Sequence, residues 1–319
     1  MKKYVVGVDL GGTKVLCAIV EKQNHKVLFE VKKKTKNQKG NEKIVSKLFE
    51  ALDELFETSG IKKTEISSIG IAAAGQTDRD KGAIINACNL ECTDLAIVKL
   101  VEKRYKIKTY LANDVEAASL GELHYGAGRG FKDIVCIFVG TGIGSSIILN
   151  KKLHYGATGT AGEIGHIIVD LNGRTCACGG VGCLEAYASR SAIEARINGA
   201  VKKGGKSIIT DLAEGQNIST KHIKQALNAR DEITTRYVNE AIEYLSGGIA
   251  SVINFLNPEL IILGGGLIEG IDEIYLKTVR SARSKALYVP AEKIEFRKSE
   301  LGDMAGVIGA TLLENRNAV

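Results

Sequence analysis

Two glycine-rich turns carry residue types that bind phosphate. Residues 11–14 (Gly-Gly-Thr-Lys) follow an apolar run that ends at Asp9, and residues 140–144 (Gly-Thr-Gly-Ile-Gly) follow a second apolar run. Adjacent glycines let backbone N–H groups crowd a phosphate, while Thr13 adds a hydroxyl and Lys14 a positive charge. Asp9 could hold Mg²⁺ through water, since Mg²⁺ uses few protein carboxylates. An ordinary hairpin with a glycine bulge would explain the first turn equally well.

A cluster of thiols indicates a metal site. Cys176, Cys178 and Cys183 lie within eight residues of one another, and His166 lies ten residues before the first of them. The start of the sequence lacks the features of a signal peptide, so we expect clustered thiols to bind metal rather than form disulfides. Three Cys and one His would close a tetrahedral Zn²⁺ site of the structural type. Four further cysteines are expected to be buried small apolar residues, namely Cys17, Cys88, Cys92 and Cys136.

Polar residues near this cluster, and at one predicted strand end, could act on a hydroxylated substrate. Glu163 and Glu185 flank the Cys/His cluster, so a bound metal would fix both loops and aim both carboxylates at vicinal hydroxyls. Asn113 and Asp114 end a predicted strand and begin a predicted helix. An Asp at a helix start is usually a cap. The same carboxylate, facing a substrate, could instead take a proton from a hydroxyl that attacks phosphorus.

The elements that would position these residues alternate between strands and helices. Buried apolar runs predict strands at residues 4–9, 15–20, 27–31, 66–72, 109–112, 133–139, 145–149 and 260–263. Helical periodicity predicts helices at residues 41–60, 231–256 and 304–314. Asn41 is expected to cap the first helix and Gly60 to end it. The order strand, glycine turn, strand at residues 5–20 recurs at residues 133–149, which predicts two related halves.

Composition and charge exclude several classes of protein. With 45% apolar and 25% charged residues, the 319-residue chain is neither disordered, collagen-like nor a coiled coil. Its longest apolar stretch, residues 260–268, is far shorter than the roughly 18 residues of a membrane helix, so we expect a cytoplasmic protein with no membrane partner. The net charge of +6 is concentrated in lysines 32–39. That run predicts a solvated loop rather than a nucleic-acid face, and it would also suit a phosphorylated substrate.

Together these motifs resemble the ROK family (repressors, open reading frames and kinases) of sugar kinases, within the group that shares the actin, Hsp70 and hexokinase ATPase fold. The resemblance extends from Asp9 to the last helix. Its most specific part is Gly-Glu-Ile-Gly-His at residues 162–166, followed by Cys-x-Cys-Gly-x-x-Gly-Cys-x-Glu at residues 176–185. Residues 9–14, 113–114 and 140–144 match the family pattern as well.

The resemblance implies an α/β, two-domain, actin-like ATPase (ribonuclease H-like) fold with a cleft between the domains. The smaller domain would comprise residues 1–112, completed by a C-terminal helix at 304–319, and the larger domain residues 113–303 with the zinc site. ATP with Mg²⁺ would lie in the cleft. The larger domain usually carries the dimer interface in this family, so a homodimer or homotetramer is implied.

The resemblance also implies a role for each matching residue. Asp114 would be the catalytic base and would contact the sugar. The other sugar ligands would be Gly75, Asn89, Asn113, Glu163, His166 and Glu185. The zinc ligands would be His166, Cys176, Cys178 and Cys183. The residues that contact ATP or its metal would be Asp9, Gly11, Gly12, Thr13, Lys14, Gly140, Thr141, Gly142, Gly144, Gly264, Gly265 and Gly266.

Two loops depart from the family pattern. Residues 73–76 read Ala-Ala-Gly-Gln where the family often has Pro-Gly, and residues 89–93 read Asn-Leu-Glu-Cys-Thr where it often has a Pro and a Trp. Both loops would face the first carbons of the sugar. We therefore expect ATP-dependent phosphorylation of the 6-hydroxyl of an aldohexose, glucose first, with an N-acetylmannosamine or N-acetylglucosamine kinase as the alternative. ATP and polyphosphate both stay open as donors.

A sugar-responsive transcriptional regulator is a more distant alternative, because the same family contains such proteins. Those regulators carry a helix-turn-helix segment of several dozen residues before the first phosphate turn. In this sequence Asp9 is the ninth residue, which leaves no room for that segment. We therefore expect no nucleic-acid partner.

Overall fold

The structure is a computed structural model that describes residues 2–35, 39–87 and 89–315. Two compact units divide the chain. The first comprises the residues up to Gly130, the segment Lys151–Thr160 and the residues from Asp303 onward. The second comprises Phe131–Asn150 and Ala161–Gly302. The first unit thus extends past the boundary expected after residue 112 and also takes in a short segment from the middle of the chain.

The first unit is built on a mixed five-stranded sheet. It also contains a small three-stranded sheet. The strands of these two sheets are β1 (Tyr4–Leu10), β2 (Lys14–Glu21), β3 (Val27–Lys34), β4 (Ile66–Ala73), β5 (Gln76–Asp78), β6 (Ala83–Ala87), β7 (Cys92–Leu95) and β8 (Thr109–Asn113). Its helices are α1 (Asn41–Ser59), α2 (Ile97–Tyr105), α3 (Asp114–Tyr125) and α12 (Ala305–Thr311), with 3₁₀ turns at Lys63–Glu65 and Gly302–Met304.

Strand pairing follows from the apolar runs. The large sheet has the order β3-β2-β1-β4-β8, with β1 antiparallel to β2 and parallel to β4, and with β4 parallel to β8. Such parallel strands are buried on both faces, which is why β1 and β4 read as nearly continuous apolar runs. On one face lies α1, whose buried stripe includes Ile44, Leu48 and Leu55. The order of the small sheet is β5-β6-β7.

Helix α12 covers the other face of the large sheet and packs directly on α3. Glycines make this close approach possible. A Cβ on Gly70 of β4 would lie 1.8 Å from the carbonyl oxygen of Ala310, and a Cβ on Gly309 would lie 1.6 Å from that of Ala117. Because α3 packs against α12, it belongs to the first unit, and this moves the boundary beyond residue 112.

The second unit has a sheet with helices around it. The strands of this sheet are β9 (Ile134–Val139), β10 (Ile143–Leu149), the two-residue edge strand β11 (Lys152–Leu153), β12 (Leu260–Gly264) and β13 (Glu295–Lys298), in the order β11-β10-β9-β12-β13. Its helices are α4 (Glu185–Ala188), α5 (Arg190–Lys202), α6 (Ile209–Ala213), α7 (Thr220–Asn228), α8 (Glu232–Leu256), α9 (Gly266–Gly270), α10 (Asp272–Lys285) and α11 (Tyr288–Lys293), with a 3₁₀ turn at Ile164–His166. A buried core of branched residues from β9, β12 and α8 holds it together.

The predicted internal repeat is confirmed. Strand β10 is antiparallel to β9, and β9 is parallel to β12. In the first unit β2 is antiparallel to β1, and β1 is parallel to β4. Each unit therefore contains a hairpin closed by a glycine turn, followed later in the chain by a strand parallel to the first arm of the hairpin. The fold is the actin-like ATPase fold, mixed α/β.

Most predicted elements lie within a few residues of their observed bounds, but two caps differ. Gly40 rather than Asn41 precedes the first turn of α1, and Asn113 rather than Asp114 caps α3. Cys17, Cys92 and Cys136 are buried as expected, whereas Cys88 and part of the lysine run (residues 36–38) fall outside the described residues. In the described ranges, every helix is too short or too polar to cross a bilayer.

Candidate functional site

In the first unit, polar residues gather where three parallel strands end. Leu10 of β1 is paired with Ala73 of β4, and Ala73 is paired with Asn113 of β8. The carboxyl ends of parallel strands meet at one edge of a sheet, where ligands of open α/β sheets bind. The glycine turn at residues 11–13, the loop at Gly75 and the start of α3 therefore lie along this single edge.

Asn113 and Asp114 are fixed by the first turn of α3. The Asn113 side chain accepts hydrogen bonds from the backbone N–H groups of Val115 (2.8 Å) and Glu116 (3.3 Å), and the Glu116 carboxylate accepts one from the N–H of Asn113 (3.3 Å). This capping box satisfies N–H groups that a helix start would otherwise leave unpaired. Asn113 also donates its amide N–H to the carbonyl of Gly75 (2.9 Å). Asn113 thus supplies the cap of α3, and the Asp114 carboxylate accepts a further hydrogen bond from the N–H of Val115 (3.0 Å).

The buried carboxylate of Asp9 is affected by the charge of Asp114. Burial, and then the charge of Asp114, raise the pKa of Asp9 to about 7, while Lys14 acts in the opposite direction. Burial also raises the pKa of Asp114, although a hydrogen bond from the Val115 N–H (3.0 Å) opposes the shift. Two neighbouring carboxylates of this kind attract a cation, and a raised pKa suits a carboxylate that must accept a proton near neutral pH.

Lys14 is held by an acid from the distant end of the chain. Its ammonium lies 2.6 Å from one oxygen of Asp303, and the ammonium of Lys32 lies 3.1 Å from the other oxygen. These two lysines lower the pKa of Asp303. Asp303 directly follows Gly302, whose φ of +50° is left-handed. Because Asp303 is far from Lys14 in sequence, its ion pair with Lys14 could not be predicted from local sequence. The Lys14 side chain retains 22% exposure and stays accessible to an anion.

The two loops expected to contact sugar lie against the same edge of the first unit. Gly75 has a φ of +98°, and a Cβ there would lie 2.4 Å from the carbonyl oxygen of Asn86, so no larger residue fits. Asn89 packs on the first glycine turn, since a Cβ on Gly12 would lie 3.1 Å from the Cβ of Asn89. The turn is closed by a hydrogen bond from the N–H of Gly11 to the carbonyl of Lys14 (3.0 Å).

In the second unit, two glycine turns meet at the ends of β9 and β12. Gly264 of β12 is paired with Phe138 of β9, so residues 140–144 and residues 264–266 follow neighbouring parallel strands. Gly265 has a φ of +86°, and a Cβ there would lie 2.6 Å from the backbone nitrogen of Val139. Glycine is required for this close approach. The two predicted nucleotide-contacting turns of this unit are thus brought together.

Side chains that the sequence did not single out hold these turns. Arg190 donates from its guanidinium to the Thr141 hydroxyl (3.1 Å) and from its backbone N–H to the carbonyl of Gly140 (2.9 Å). Ser145 accepts a hydrogen bond from the N–H of Ile164 (3.2 Å), which ties β10 to the loop that carries Glu163. Ser145 directly follows the turn in sequence, whereas Arg190 lies far from it and is brought there only by the fold.

Glu185 has a structural contact in addition to its predicted role. Its Oε2 accepts a hydrogen bond from the backbone N–H of Ile143 (2.8 Å), inside the second glycine turn. A Cβ on Gly142 would lie only 2.4 Å from that oxygen, so the glycine makes room for the carboxylate. Glu185 therefore couples the Cys/His cluster to the turn at residues 140–144.

Four residues predicted to bind metal converge in the second unit. The ligand atoms of His166, Cys176, Cys178 and Cys183 all lie within 4.8 Å of one another. The Sγ atoms of Cys178 and Cys183 are 3.7 Å apart, too far for a disulfide, and Sγ of Cys176 lies 3.8 Å from Nδ1 of His166. Tetrahedral bonds of about 2.3 Å from zinc to sulfur place two sulfurs about 3.8 Å apart. The donor set and the spacing fit Zn²⁺.

The loop before this cluster presents a carboxylate and the second imidazole nitrogen of the histidine. Nε2 of His166 lies 4.0 Å from Oε2 of Glu163, while Nδ1 faces Cys176. Nδ1 thus faces the thiol of Cys176, while Nε2 and the Glu163 carboxylate are near one another but beyond hydrogen-bond distance. The second unit therefore combines an accessible carboxylate, an imidazole and two glycine turns, which suit hydroxyl groups and phosphates respectively.

Comparison with known proteins agrees with this geometry. The model of the ROK family matches residues 5–317. A glucokinase of Halalkalibacterium halodurans is 33% identical over 310 residues, which cover 96% of this chain and 93% of that protein. A ROK family glucokinase of Streptomyces griseus, solved with glucose and AMPPNP, superimposes with a TM-score of 0.81 at 30% identity over 97% of this chain and 98% of that one. A xylose repressor of Caldicellulosiruptor bescii is 28% identical over 96% of this chain and 76% of that protein.

Proposed function

Because the chain belongs to the ROK family, we propose that this protein is a hexose kinase that transfers the γ-phosphoryl group of ATP to the 6-hydroxyl of glucose. The broader statement, that it is a sugar kinase and so a phosphotransferase, follows from its relatives. The choice of glucose draws on the glucokinases among them at 30 to 33% identity. The observation that carries the mechanism is the position of Asp114, beside Asn113 at the strand-end edge that also holds the glycine turn at residues 11–13.

Asp114 would act as the general base. Phosphoryl transfer requires positioning, charge neutralisation and a base for the attacking hydroxyl. The Asn113 cap fixes the first turn of α3, and the Asp114 carboxylate would take the proton of the 6-hydroxyl as that oxygen attacks phosphorus. A positioned base of this kind typically contributes about 10²–10⁴-fold to the rate. The sugar would be oriented by Asn113 and the loops of Gly75 and Asn89, together with Glu163, His166 and Glu185.

The glycine turns would hold the nucleotide. Backbone N–H groups of residues 11–13 and 140–144 would bind the phosphates, with Thr13, Lys14 and Thr141 adding side-chain donors, and residues 264–266 would contact adenosine. Asp9 fits a Mg²⁺ site, because a buried carboxylate with a raised pKa beside a second carboxylate gains from a dication. When bound, Mg²⁺ neutralises phosphate charge.

We also propose that Zn²⁺ occupies the Cys/His cluster as a structural ion. Four protein ligands leave no open coordination position, which is typical of structural zinc. Its role would be to hold the loop of Glu163 and the start of α4 at Glu185, so that both carboxylates keep their positions. Loss of the ion would thus weaken stability and sugar binding together.

An N-acetylmannosamine or N-acetylglucosamine kinase is the alternative. It is favoured by the two loops at Gly75 and Asn89, whose sequences depart from the common family pattern at positions expected to contact the sugar. The repressors among the relatives make sequence-specific DNA binding a further alternative.

The decisive experiment is a coupled ADP-release assay with ATP and five sugars: glucose, mannose, fructose, N-acetylglucosamine and N-acetylmannosamine. We expect the highest kcat/KM for glucose. A preference for an N-acetylated sugar would replace glucose by the alternative substrate. ADP release that no sugar stimulates would contradict the kinase assignment, and salt-sensitive, sequence-specific DNA binding by such a protein would favour the regulator.

A further inference from the structure

The guanidinium of Arg190 joins two segments of the second unit that are far apart in sequence. It donates to the Thr141 hydroxyl (3.1 Å), in the second glycine turn, and to the backbone carbonyl of Ile218 (2.6 Å), just before α7. Arg190 is the first residue of α5, and its side chain is mostly buried. Because the donors of a guanidinium have a rigid planar geometry, one that reaches two loops fixes their separation.

Glu194, one turn further along α5, holds Arg190 in place. Its Oε2 lies 3.1 Å from the Arg190 guanidinium, and its Oε1 accepts a hydrogen bond from the backbone N–H of Ile218 (2.8 Å). The ion pair therefore binds both polar groups of the Ile218 backbone, the N–H through Glu194 and the carbonyl through Arg190. With side-chain exposures of 18% and 16%, the pair is screened much less than a surface ion pair.

The Ile218 segment lies beside the glycine turn that follows β12. Thr220, two residues further on, packs against that turn and the helix after it. A Cβ on Gly266 would lie 3.9 Å from Oγ1 of Thr220, and a Cβ on Gly270 would lie 2.6 Å from its Cγ2. Arg190 therefore connects the turn proposed to bind phosphate with the segment that packs on the turn proposed to contact adenosine.

The hydrogen bond from Arg190 determines how the Thr141 hydroxyl can be used. A threonine hydroxyl has one donor and two acceptor sites, whereas a guanidinium has only donors. The Thr141 oxygen is therefore the acceptor in this contact, and its own O–H stays available. Thr141 is exposed, and in the part of the chain that the structure describes no protein group accepts that O–H. The turn thus presents a hydroxyl donor of the kind that an anion requires.

We infer that Arg190 is a positioning residue for the donor nucleotide, because it orients the Thr141 hydroxyl so that the O–H donates to a phosphate oxygen. Glu194 supports this role by holding the guanidinium. The inference rests on the proposed function, which identifies the anion as a phosphate of ATP. It goes beyond the glycine motif, since Arg190 lies 49 residues from Thr141 in sequence. A purely structural link, in which Arg190 ties α5 to the start of α7 without an effect on the nucleotide, is the competing explanation.

A double-mutant cycle separates the two explanations. Thr141→Val removes the hydroxyl with little change in volume, and Arg190→Met removes the guanidinium but keeps an unbranched side chain. Titration with the Mg²⁺ complex of AMPPNP, in the absence of sugar, measures nucleotide binding directly. We expect Thr141→Val to raise the Kd roughly 10- to 100-fold, the range of a hydrogen bond to a charged group, and Arg190→Met to raise it about 5-fold or more. The double variant should raise the Kd no further than the stronger single variant, because Arg190 acts through Thr141.

Arg283→Met is the matched control for lost stability. The Arg283 guanidinium also donates to two backbone carbonyls of the second unit, those of Ala291 and Ile294 (2.7 Å each). Both arginine variants should lower the melting temperature, but only Arg190→Met should raise the nucleotide Kd. The KM for ATP should rise with that Kd while kcat and the sugar Kd stay close to wild type, as expected when uniform binding is lost. Arg190→Lys should restore part of the affinity, because an ammonium can also donate to Thr141.

Fully additive effects in the double variant, or an Arg190→Met protein that binds the nucleotide as tightly as wild type, would overturn the inference and leave Arg190 a structural link. Arg190→Lys takes the place of Arg190→Met in the cycle if the methionine variant does not fold. Failure of the proposed function is distinguishable from these results. Wild-type protein that binds AMPPNP but phosphorylates no sugar would remove the kinase assignment alone, and the cycle would still be decided by binding. Wild-type protein that binds no nucleotide would overturn both.

Discussion

Asp114 is the residue that we propose as the general base. It begins α3 at the end of β8, its pKa is raised by burial, and the neighbouring Asn113 supplies the helix cap in its place. Asn113 supplies the helix cap, so the side chain of Asp114 is not required as the cap. The proposed chemical role is compatible with this helix start.

Replacement of Asp114 tests this role. Asp114→Asn should lower kcat by about 10²–10⁴-fold while leaving sugar affinity nearly unchanged, because the amide keeps the shape and polar contacts but accepts no proton. Steady-state kinetics together with titration of the sugar measure both quantities. Asp211→Asn, an exposed position on α6 in the second unit, is the control and should behave as wild type. Turnover within tenfold of wild type would refute the assignment.

Asp9 predicts a pH dependence of stability. Its pKa is about 7 in the folded protein against an ordinary value of 3.8, so the native state binds more protons than the unfolded state between these values. The free energy of unfolding contributed by Asp9 therefore falls as the pH rises from about 4 to about 7. Asp9→Asn should be stabilised relative to wild type, and by more at pH 8 than at pH 5.

Urea denaturation in Mg²⁺-free buffer at the two pH values measures this difference. A carboxylate with a lowered pKa that does not interact with Asp9, such as Asp231, acts in the opposite direction but equally in both proteins, so its contribution cancels in the comparison. A stability difference between Asp9→Asn and wild type that is the same at pH 5 and pH 8 would show that burial does not raise the Asp9 pKa.

At the scale of elements, the contact of α12 with α3 and with the sheet depends on glycines, because a glycine has no side chain and leaves room for close packing. Gly70→Ala would place a Cβ 1.8 Å from the Ala310 carbonyl oxygen and so force α12 away from β4. We expect a loss of about 1–3 kcal/mol in the free energy of unfolding. Activity should fall as well, since α12 also packs on α3. Denaturant titration and kinetics measure the two effects.

The matched control for this prediction is Gly199→Ala. Gly199 lies inside α5, and a Cβ there has no atom within 4 Å. Alanine in a helix interior is favoured over glycine by about 0.8–1 kcal/mol, so this variant should be neutral or slightly stabilised. Equal destabilisation by both substitutions would show that packing of α12 is not the cause.

The Cys/His cluster predicts a metal-dependent element. Cys178→Ser should reduce bound zinc from about one ion per chain to well below one, and should lower the melting temperature and sugar affinity together, since binding is coupled to folding at such sites. Elemental analysis, calorimetry and sugar titration measure the three effects. Cys92→Ser, at a buried thiol in the first unit, should retain zinc. Native protein purified without chelators and found free of zinc would contradict the proposal.

The parts of the fold that the sequence predicts are those with a local signal. Buried strands such as β1 and β4 are continuous apolar runs, and α1 and α8 repeat apolar residues at helical spacing. The sequence does not predict the small sheet β5-β6-β7, because its strands have only three to five residues and mix buried and exposed positions without regular alternation. Its register shifts between Gln76 and Thr77, which obscures the alternation of a regular strand.

The residues of the candidate site likewise fall into those that the sequence identifies and those that only the fold reveals. Glycine turns, Asp114 and the Cys/His cluster are motifs with fixed spacing, so they could be named from residues alone. Arg190 and Asp303 could not, because each contacts a residue far away in sequence, Thr141 and Lys14 respectively. Only the topology brings these pairs together.

At the scale of the whole molecule, the two units repeat one arrangement. Each offers a glycine turn between antiparallel strands and a second loop after a neighbouring parallel strand. The two units differ in the side chains near these turns. The first unit carries Asp9, Asn113 and Asp114, and the second carries the Cys/His cluster with Glu163. A kinase built in this way should phosphorylate sugar in preference to water, so ATP hydrolysis without sugar should be slow.

The most direct test of the account is the stoichiometry of product formation by wild-type protein. Glucose, ATP and Mg²⁺ are supplied, ADP is quantified, and glucose 6-phosphate is measured in the same reaction through NADPH formed by a glucose-6-phosphate dehydrogenase. The account predicts one glucose 6-phosphate per ADP, with ADP release at least 100-fold slower when glucose is omitted, roughly the advantage of a positioned base acting on the sugar hydroxyl. ADP release that is equal with and without sugar, and unaccompanied by a sugar phosphate, would contradict it.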